Sequence, residues 1–390
     1  MRTAVTEMFG IDVPILAFSH CRDVVAAVTK AGGMGVLGAA AHTPEQLEID
    51  LAWIEAEIGD RPYGVDLIVP ARYEGSDEGG LSIEAVRGLI PPEHLAFVDE
   101  ILRRYEVPEL PDRDSGGDTG GEPSSRGGPV GNAGAGMIFS AERAGPQLDI
   151  ALARRTALVV NALGPPTADM IDRAKADGRL VGALAGAAQH AERHVQAGVD
   201  LIVAQGYEAG GHTGQIGTMV LLPEIVDAVD GVPVLGAGGI GRGRQMAAAM
   251  ALGAAGVWCG SVWLTTEEAE THPVVKEKFL AATSADTVRS RSRTGKPARQ
   301  LRSAWTDEWD DPGSPMPLGM PLQPVLVDAA LRRIDRAAHR KGSGAERLAN
   351  YYVGQIVGAM NQSKPAAQVV YEMIDEFIEA TRSLARQLET

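Results

Sequence analysis

Leu201-Ile202-Val203-Ala204-Gln205-Gly206-Tyr207-Glu208-Ala209-Gly210-Gly211-His212-Thr213-Gly214 decides the fold. It opens on an unbroken apolar run, breaks into a turn with four glycines, and leads to a helical stretch over residues 219–229. An apolar run without polar alternation is the pattern of a strand covered on both faces, as in a parallel sheet wrapped by helices. The glycine turn then lies at the carboxyl end of the strand, where such sheets bind their ligands.

The same unit recurs on both sides of this stretch. Upstream, apolar runs at residues 14–19, 34–37, 63–69, 157–163 and 180–184 alternate with helical patterns at 22–31, 44–58, 167–177 and 187–197. The helix over 44–58 carries an apolar stripe at Leu47, Leu51 and Ile54. Downstream, runs at 233–236 and 256–259 flank a helix at 243–252. Eight β–α units predict an α/β protein built as a closed (β/α)8 barrel, with an open doubly wound sheet as the alternative. The predicted barrel covers residues 1–282. It is interrupted at about 112–136, where nine of the 24 residues from 113 to 136 are glycine, too few apolar groups to fix a segment by burial. Residues 283–390 read as a loop and helical subdomain packed on the barrel. Its polar stretch over 283–319 holds Trp305 and Trp309, and helices are expected at 324–341, 345–360 and 365–388. The last helix carries Val369, Met373, Phe377 and Ile378.

Composition narrows the function. The chain has 390 residues, 45% apolar and 22% charged, as a packed globule requires. Its net charge of −15 argues against a nucleic-acid partner. The two cysteines, Cys21 and Cys259, cannot build a disulfide framework, which suits a reducing, cytoplasmic setting. Neither an apolar leader after Arg2 nor a membrane-spanning run is legible. The 47 glycines beside 5% aromatic residues suggest backbone lying directly against a ligand.

Three strand ends carry the candidate chemistry. His212 sits among glycines in a loop, where a neutral imidazole can take a proton or steady a developing charge. Gly236-Ala237-Gly238-Gly239-Ile240 and Cys259-Gly260-Ser261 end the last two strands. Paired turns there can form a phosphate cup from backbone N–H groups and a hydroxyl. Gly239-Ile240-Gly241-Arg242-Gly243 falls too late in the chain to open a dinucleotide-binding unit. His190 and His194 share a helix without an acidic third ligand, so no metal site is expected.

These motifs together resemble the nitronate monooxygenase family, formerly 2-nitropropane dioxygenases. The likeness rests on residues 205–214 and 236–240, the helix from Gly243-Arg244-Gln245, Trp258-Cys259-Gly260-Ser261, and Thr294-Gly295-Lys296-Pro297-Ala298-Arg299. It also includes residues 14–19 and Ala31-Gly32-Gly33-Met34-Gly35. The resemblance implies a TIM barrel that binds FMN without a covalent bond and oxidises alkyl nitronates, or nitroalkanes, with dioxygen. His212 would be the catalytic base. FMN would contact Ala17, Phe18, Asp66, Gln205, Gly206, Gly210, Gly211 and Ala237, with Gly238, Gly239, Gly260 and Ser261 at its phosphate. The motifs are shared with flavin-dependent enoyl-thioester and quinone reductases, which keeps an NAD(P)H-dependent reductase as the second reading. Partners would then be a small anionic substrate and dioxygen, with the helical C-terminal part as the expected place for contact between copies.

The chain departs from the family in three places. Asp66 follows Val65 where the family commonly has Asn. Ala17-Phe18-Ser19-His20 replaces Gln-Ala-Pro-Met, which brings His20 and Cys21 to the flavin face. Asn161 stands near the place of the family's lysine.

Overall fold

The computed structural model describes residues 1–69, 83–109 and 141–388; the glycine-rich stretch 112–136 lies outside them. The strands are β1 (Ile15–Ser19), β2 (Met34–Gly38), β3 (Gly64–Leu67), β4 (Leu158–Asn161), β5 (Leu180–Ala185), β6 (Leu201–Gln205), β7 (Gly211–His212), β8 (Val234–Ala237), β9 (Gly256–Cys259), β10 (Thr287–Ser290) and β11 (Ala298–Leu301). Strands β1 to β6, β8 and β9 form a closed parallel barrel. Closure is made by β1 on β9, with Ile15 opposite Val257, Leu16 opposite Trp258 and Ala17 opposite Cys259. The open doubly wound alternative is excluded.

Strand alternation sorts the side chains into two cores. Leu16, Met34, Val36, Leu158, Val160, Leu201, Val203, Leu235 and Trp258 point inward and fill the barrel. Ile15, Ala17, Leu37, Val65, Leu67, Val159 and Ile202 point outward against the helices. This two-residue period is invisible in the sequence because both faces are apolar. Helix α1 (Ala4–Phe9) closes the bottom, lending Val5 and Phe9 to the interior cluster. Thr3 caps this helix by accepting from the Thr6 amide, and the sequence reading did not assign it.

The surrounding helices are α2 (Arg22–Lys30), α3 (Pro44–Ile58), α4 (Ile83–Gly88), α5 (Pro92–Arg104), α6 (Ala141–Ala153), α7 (Ala168–Ala176), α8 (Ala188–Ala197), α9 (Thr218–Ala228) and α10 (Gly243–Ala251). Helix α3 starts where Thr43 accepts from the Gln46 amide with Pro44 at the first turn, and buries Leu47, Leu51, Ile54 and Ile58. A buried ion pair, Arg22 Nη1 to Asp50 Oδ1 at 2.8 Å, joins α2 to α3. Removing one partner would strand a buried charge, at a cost of about 3–5 kcal/mol.

The C-terminal part holds α11 (Pro273–Ala281), α12 (Ala304–Asp310), α13 (Leu322–Ala338), α14 (Gly344–Leu348) and α15 (Ala366–Arg386). A second hydrophobic cluster gathers α11–α14 with Val86, Val98, Ile101 and Leu102 from the long third connection of the barrel. Helix α15 instead packs on the barrel layer, burying Ala366, Val370 and Met373 there and leaving Ile378 exposed.

Two expectations for this part are corrected. Residues 283–319 are not merely a polar loop. They contain β10, β11 and α12, and β11 pairs on its other edge with β7 in the His212 loop. Trp305 and Trp309 are buried there. The helix expected over 345–360 ends at Leu348. Beyond it Tyr352 bridges to Gln300 and only a short 3-10 turn, Gln355–Ala359, follows. Tertiary contacts at the barrel mouth extend this segment despite its helical composition.

Candidate active site

The carboxyl ends of the strands surround a cavity with about 290 Å³ of space open to water-sized molecules. Its floor is the ring of Phe18, stacked on Trp258 with centroids 5.9 Å apart. Both lie at inward positions of adjacent strands, β1 and β9. The inward positions just above the apolar interior are Phe18, Gly38, Asp66, Leu184, Gln205 and Ala237, and all six line the cavity. Asp66 and Gln205 are the polar members of that ring.

One wall is made of backbone. Gly238 and Gly239, after β8, have φ of +97° and +70°. A side chain at Gly238 would meet the Gly206 carbonyl and the Thr218 hydroxyl, each 3.0 Å from its Cβ, so the turn is glycine by both conformation and space. Thr218 donates its hydroxyl to Glu208 Oε2 at 2.8 Å, which ties the β6 loop to α9. After β9, the Ser261 hydroxyl accepts from the Gly354 amide at 2.8 Å and keeps its own proton for a ligand. The amino end of α10 is already occupied, because its Gly243 amide donates to Glu376 Oε2 at 2.9 Å. An anion at this wall therefore relies on the turns rather than on the α10 terminus.

The loop after β6 carries His212, and the C-terminal part holds it. A Cβ on Gly210 would fall 2.9 Å from the Gly354 amide nitrogen, so two backbones touch there. Residues 211–212 add to the β11 edge, Gly211 opposite Arg299 and His212 opposite Ala298. His212 donates from Nδ1 to the Pro297 carbonyl at 3.3 Å. That bond fixes the tautomer and leaves the Nε2 lone pair unused. Crowding by the loops holds the imidazole below its ordinary pKa, and the nearby Lys296 and Arg289 charges act in the same direction. Neutral His212 is therefore an acceptor near neutral pH.

The opposite wall is made of side chains. His20 donates from Nδ1 to the Gly38 carbonyl at 2.7 Å and packs edge-on against Phe18, with centroids 5.1 Å apart. Burial holds its pKa below the ordinary imidazole value. Asp66 is 3% exposed, and burial raises its carboxyl well above the usual range. Cys21 also lines the cavity, its thiol donating to the Glu268 carbonyl at 3.1 Å and pushed by burial to a pKa of about 11.

Of the residues read from the sequence, the cavity brings together His212, Phe18, Asp66, Gln205, Gly210, Gly211, Ala237, Gly238, Gly239, Gly260 and Ser261. Ala17 and Gly206 do not line it. Ala17 is an outward residue of β1 buried in the helix layer, and Gly206 packs beneath Thr218. The reading missed Lys296, Met320, Tyr351 and Tyr352 as cavity residues. The Tyr351-Tyr352 doublet in a chain so poor in aromatics was the available signal. His190 and His194 lie elsewhere, on α8, where His194 is buried with its Nε2 on the Leu184 carbonyl at 3.0 Å.

The family model for nitronate monooxygenases matches residues 2–85 and 130–376. The chain belongs to the nitronate monooxygenase family. A Mycobacterium tuberculosis protein with the provisional name of a monooxygenase is 57% identical over 384 residues, 98% of each chain. The solved nitroalkane oxidase of Streptomyces ansochromogenes is 26% identical and superposes with a TM-score of 0.76, covering 98% of this chain and 100% of that one. A Rhodococcus jostii protein named as an octahydroindene-carboxyl-CoA dehydrogenase is 29% identical over 318 residues, 80% of this chain and 69% of its own. The chain is an oxidoreductase of this family. Among the described residues no helix is long and apolar enough to cross a membrane.

Proposed function

We propose that the chain is an FMN-dependent enzyme that oxidises alkyl nitronates, and nitroalkanes after their deprotonation, to carbonyl compounds and nitrite with dioxygen as oxidant. The observation that carries this reading is an imidazole bonded through Nδ1 to the Pro297 carbonyl, with its Nε2 lone pair free, on a cavity also lined by the left-handed glycine turn at Gly238-Gly239. The residues present fit a flavin nucleotide. The turns at Gly238-Gly239 and Gly260-Ser261 would hold its phosphate, Phe18 would offer a ring face, and Asp66 and Gln205 would offer polar groups to its ring system. Bound FMN would supply the electron transfer between substrate and dioxygen.

The protein's own part is proton handling and placement. His212 Nε2 takes the proton from the carbon next to the nitro group, and its Nδ1 bond to Pro297 keeps the ring oriented as it does so. Lys296, on the same cavity and close enough to act on His212, holds the negative charge of the nitronate oxygens. Tyr351, Tyr352 and Met320 close the mouth from the C-terminal part and exclude water. The second reading is an NAD(P)H-dependent reductase of an enoyl thioester or quinone, and likeness to a named CoA dehydrogenase favours a thioester substrate within it.

One experiment separates the two. Purified, FMN-loaded protein is mixed without oxygen, first with a primary alkyl nitronate and then with NADH. The first reading expects the flavin absorbance to bleach with nitronate and to persist with NADH. Rapid bleaching by NADH with no response to nitronate would move the assignment to the reductase.

A further inference from the structure

Asp66 is a carboxyl group in a place that offers it little. It lies at an inward position of β3, between Gly38 of β2 and Val160 of β4 in the register. The cavity it opens onto is lined in part by apolar Phe18, Ile68, Ala162, Leu163 and Leu184. Among the described residues no guanidinium, ammonium or backbone amide reaches its side chain, and burial is the one influence acting on its acidity. The titratable groups of the packed elements are already engaged. From the β1 end, His20 gives its Nδ1 proton to Gly38; from the loop after β2, His42 turns its Nε2 to Asp50 at 3.1 Å. The β4 neighbour Asn161 is not titratable and holds the Val69 amide through Oδ1 at 2.9 Å. An ionised carboxylate here would be buried without a partner, a state that proteins avoid by keeping the proton. Yet the group opens onto the cavity.

We propose that Asp66 keeps its proton and donates it as a hydrogen bond to an acceptor oxygen or nitrogen of the bound flavin ring system, so that binding of oxidised flavin and ionisation of Asp66 exclude each other. This rests on the FMN reading above and adds to it a protonation state and a pH dependence. A neutral carboxyl and a primary amide both offer a donor at this position, so the Asp in this chain does not abolish the contact; it makes the contact titratable. The sign follows from the donor's role. The bond is present at low pH, and affinity for flavin falls as pH rises through the Asp66 titration.

The test measures the FMN dissociation constant, by quenching of flavin fluorescence, for the full-length protein, Asp66→Asn and Asp66→Ala between about pH 6 and about pH 9. The native protein should lose affinity as Asp66 loses its proton, by about tenfold per pH unit once the group is ionised. Asp66→Asn should bind with pH-independent affinity, and Asp66→Ala weakly throughout. Infrared difference spectra of native protein against Asp66→Asn should show a protonated-carboxyl C=O stretch at neutral pH. Absence of that band overturns the proposal whether or not flavin binds. Native affinity that stays as flat as that of Asp66→Asn across the pH at which the carboxyl band disappears overturns the donor role while leaving the FMN reading intact. A folded Asp66→Asn that takes up no FMN, while the native protein does, also overturns it. Failure of all three proteins to take up FMN overturns the FMN reading and the donor role together.

Discussion

The two walls of the cavity are built from different material. The wall after β8 and β9 is backbone: Gly238, Gly239 and Gly260, with one hydroxyl from Ser261. The wall after β1 to β3 is side chain: Phe18, His20, Cys21 and Asp66. A backbone wall can be changed only by adding atoms, and at Gly238 and Gly239 an added Cβ strains the chain. A side-chain wall can be changed without moving the main chain. The backbone wall therefore suits an invariant requirement such as a phosphate, and the side-chain wall is where one chain can differ from its relatives in chemistry. The β6 loop stands between them, with His212 held in place by a third region, the β11 edge.

The broadest effect, on flavin affinity and on the fold together, is expected where the backbone wall is filled. Gly238→Ala forces a left-handed residue to carry a Cβ 3.0 Å from the Gly206 carbonyl. FMN affinity should fall by about a hundredfold or more, and the fold should lose about 1–3 kcal/mol, measured by flavin titration and thermal unfolding. Unchanged affinity would show that this turn does not meet the nucleotide.

Next comes the proposed base between the walls. His212→Ala should keep FMN and lose about 10²–10⁴-fold in turnover of a neutral nitroalkane, with a smaller loss on a preformed nitronate. Because desolvation by the surrounding loops and the nearby Lys296 and Arg289 charges lower the His212 pKa, the acidic limb of kcat/KM should lie below the ordinary imidazole value of about 6.5, with activity retained as pH rises above it. An equal loss on both substrates would mean that His212 positions rather than deprotonates.

Smaller changes test the mouth and the side-chain wall. Lys296→Met should raise KM for a nitronate by about tenfold with little change in kcat, since it removes a charge that ground and transition states share. Smallest is the effect expected at Cys21. With its thiol pushed to about 11 and its proton on the Glu268 carbonyl, it should react negligibly with iodoacetamide at neutral pH, and Cys21→Ala should retain FMN. Fast modification with loss of flavin would instead make the side-chain wall a reactive surface.

Much of the barrel was legible in the chain. Apolar runs marked each barrel strand, and the carboxyl-end rule then gathered His212, Gln205 and the glycines of 238–239 and 260 onto one face before any contact was known. Two residues drawn along with them do not line the cavity: Ala17 points outward, which a run apolar on both faces does not reveal, and Gly206 is covered by Thr218. The segment 345–360 misled for a related reason. Its composition favours a helix, but Tyr351–Gly354 are more stable packed on the β6 loop and beside Arg293, whose guanidinium lies 5.7 Å from the Tyr351 ring and 5.5 Å from the Tyr352 ring.

What the sequence determined by itself is the periodic part: strand, glycine turn and helix, each specified by neighbours a few residues apart. Only the tertiary structure decided the closure of β1 on β9, the inward turn of Asp66 into a wall without a counter-charge, and the grip of residues 297–299 and 353–354 on the His212 loop. Those features join residues tens to hundreds of positions apart. Their energies come from desolvation and close packing, which no local pattern of residues encodes.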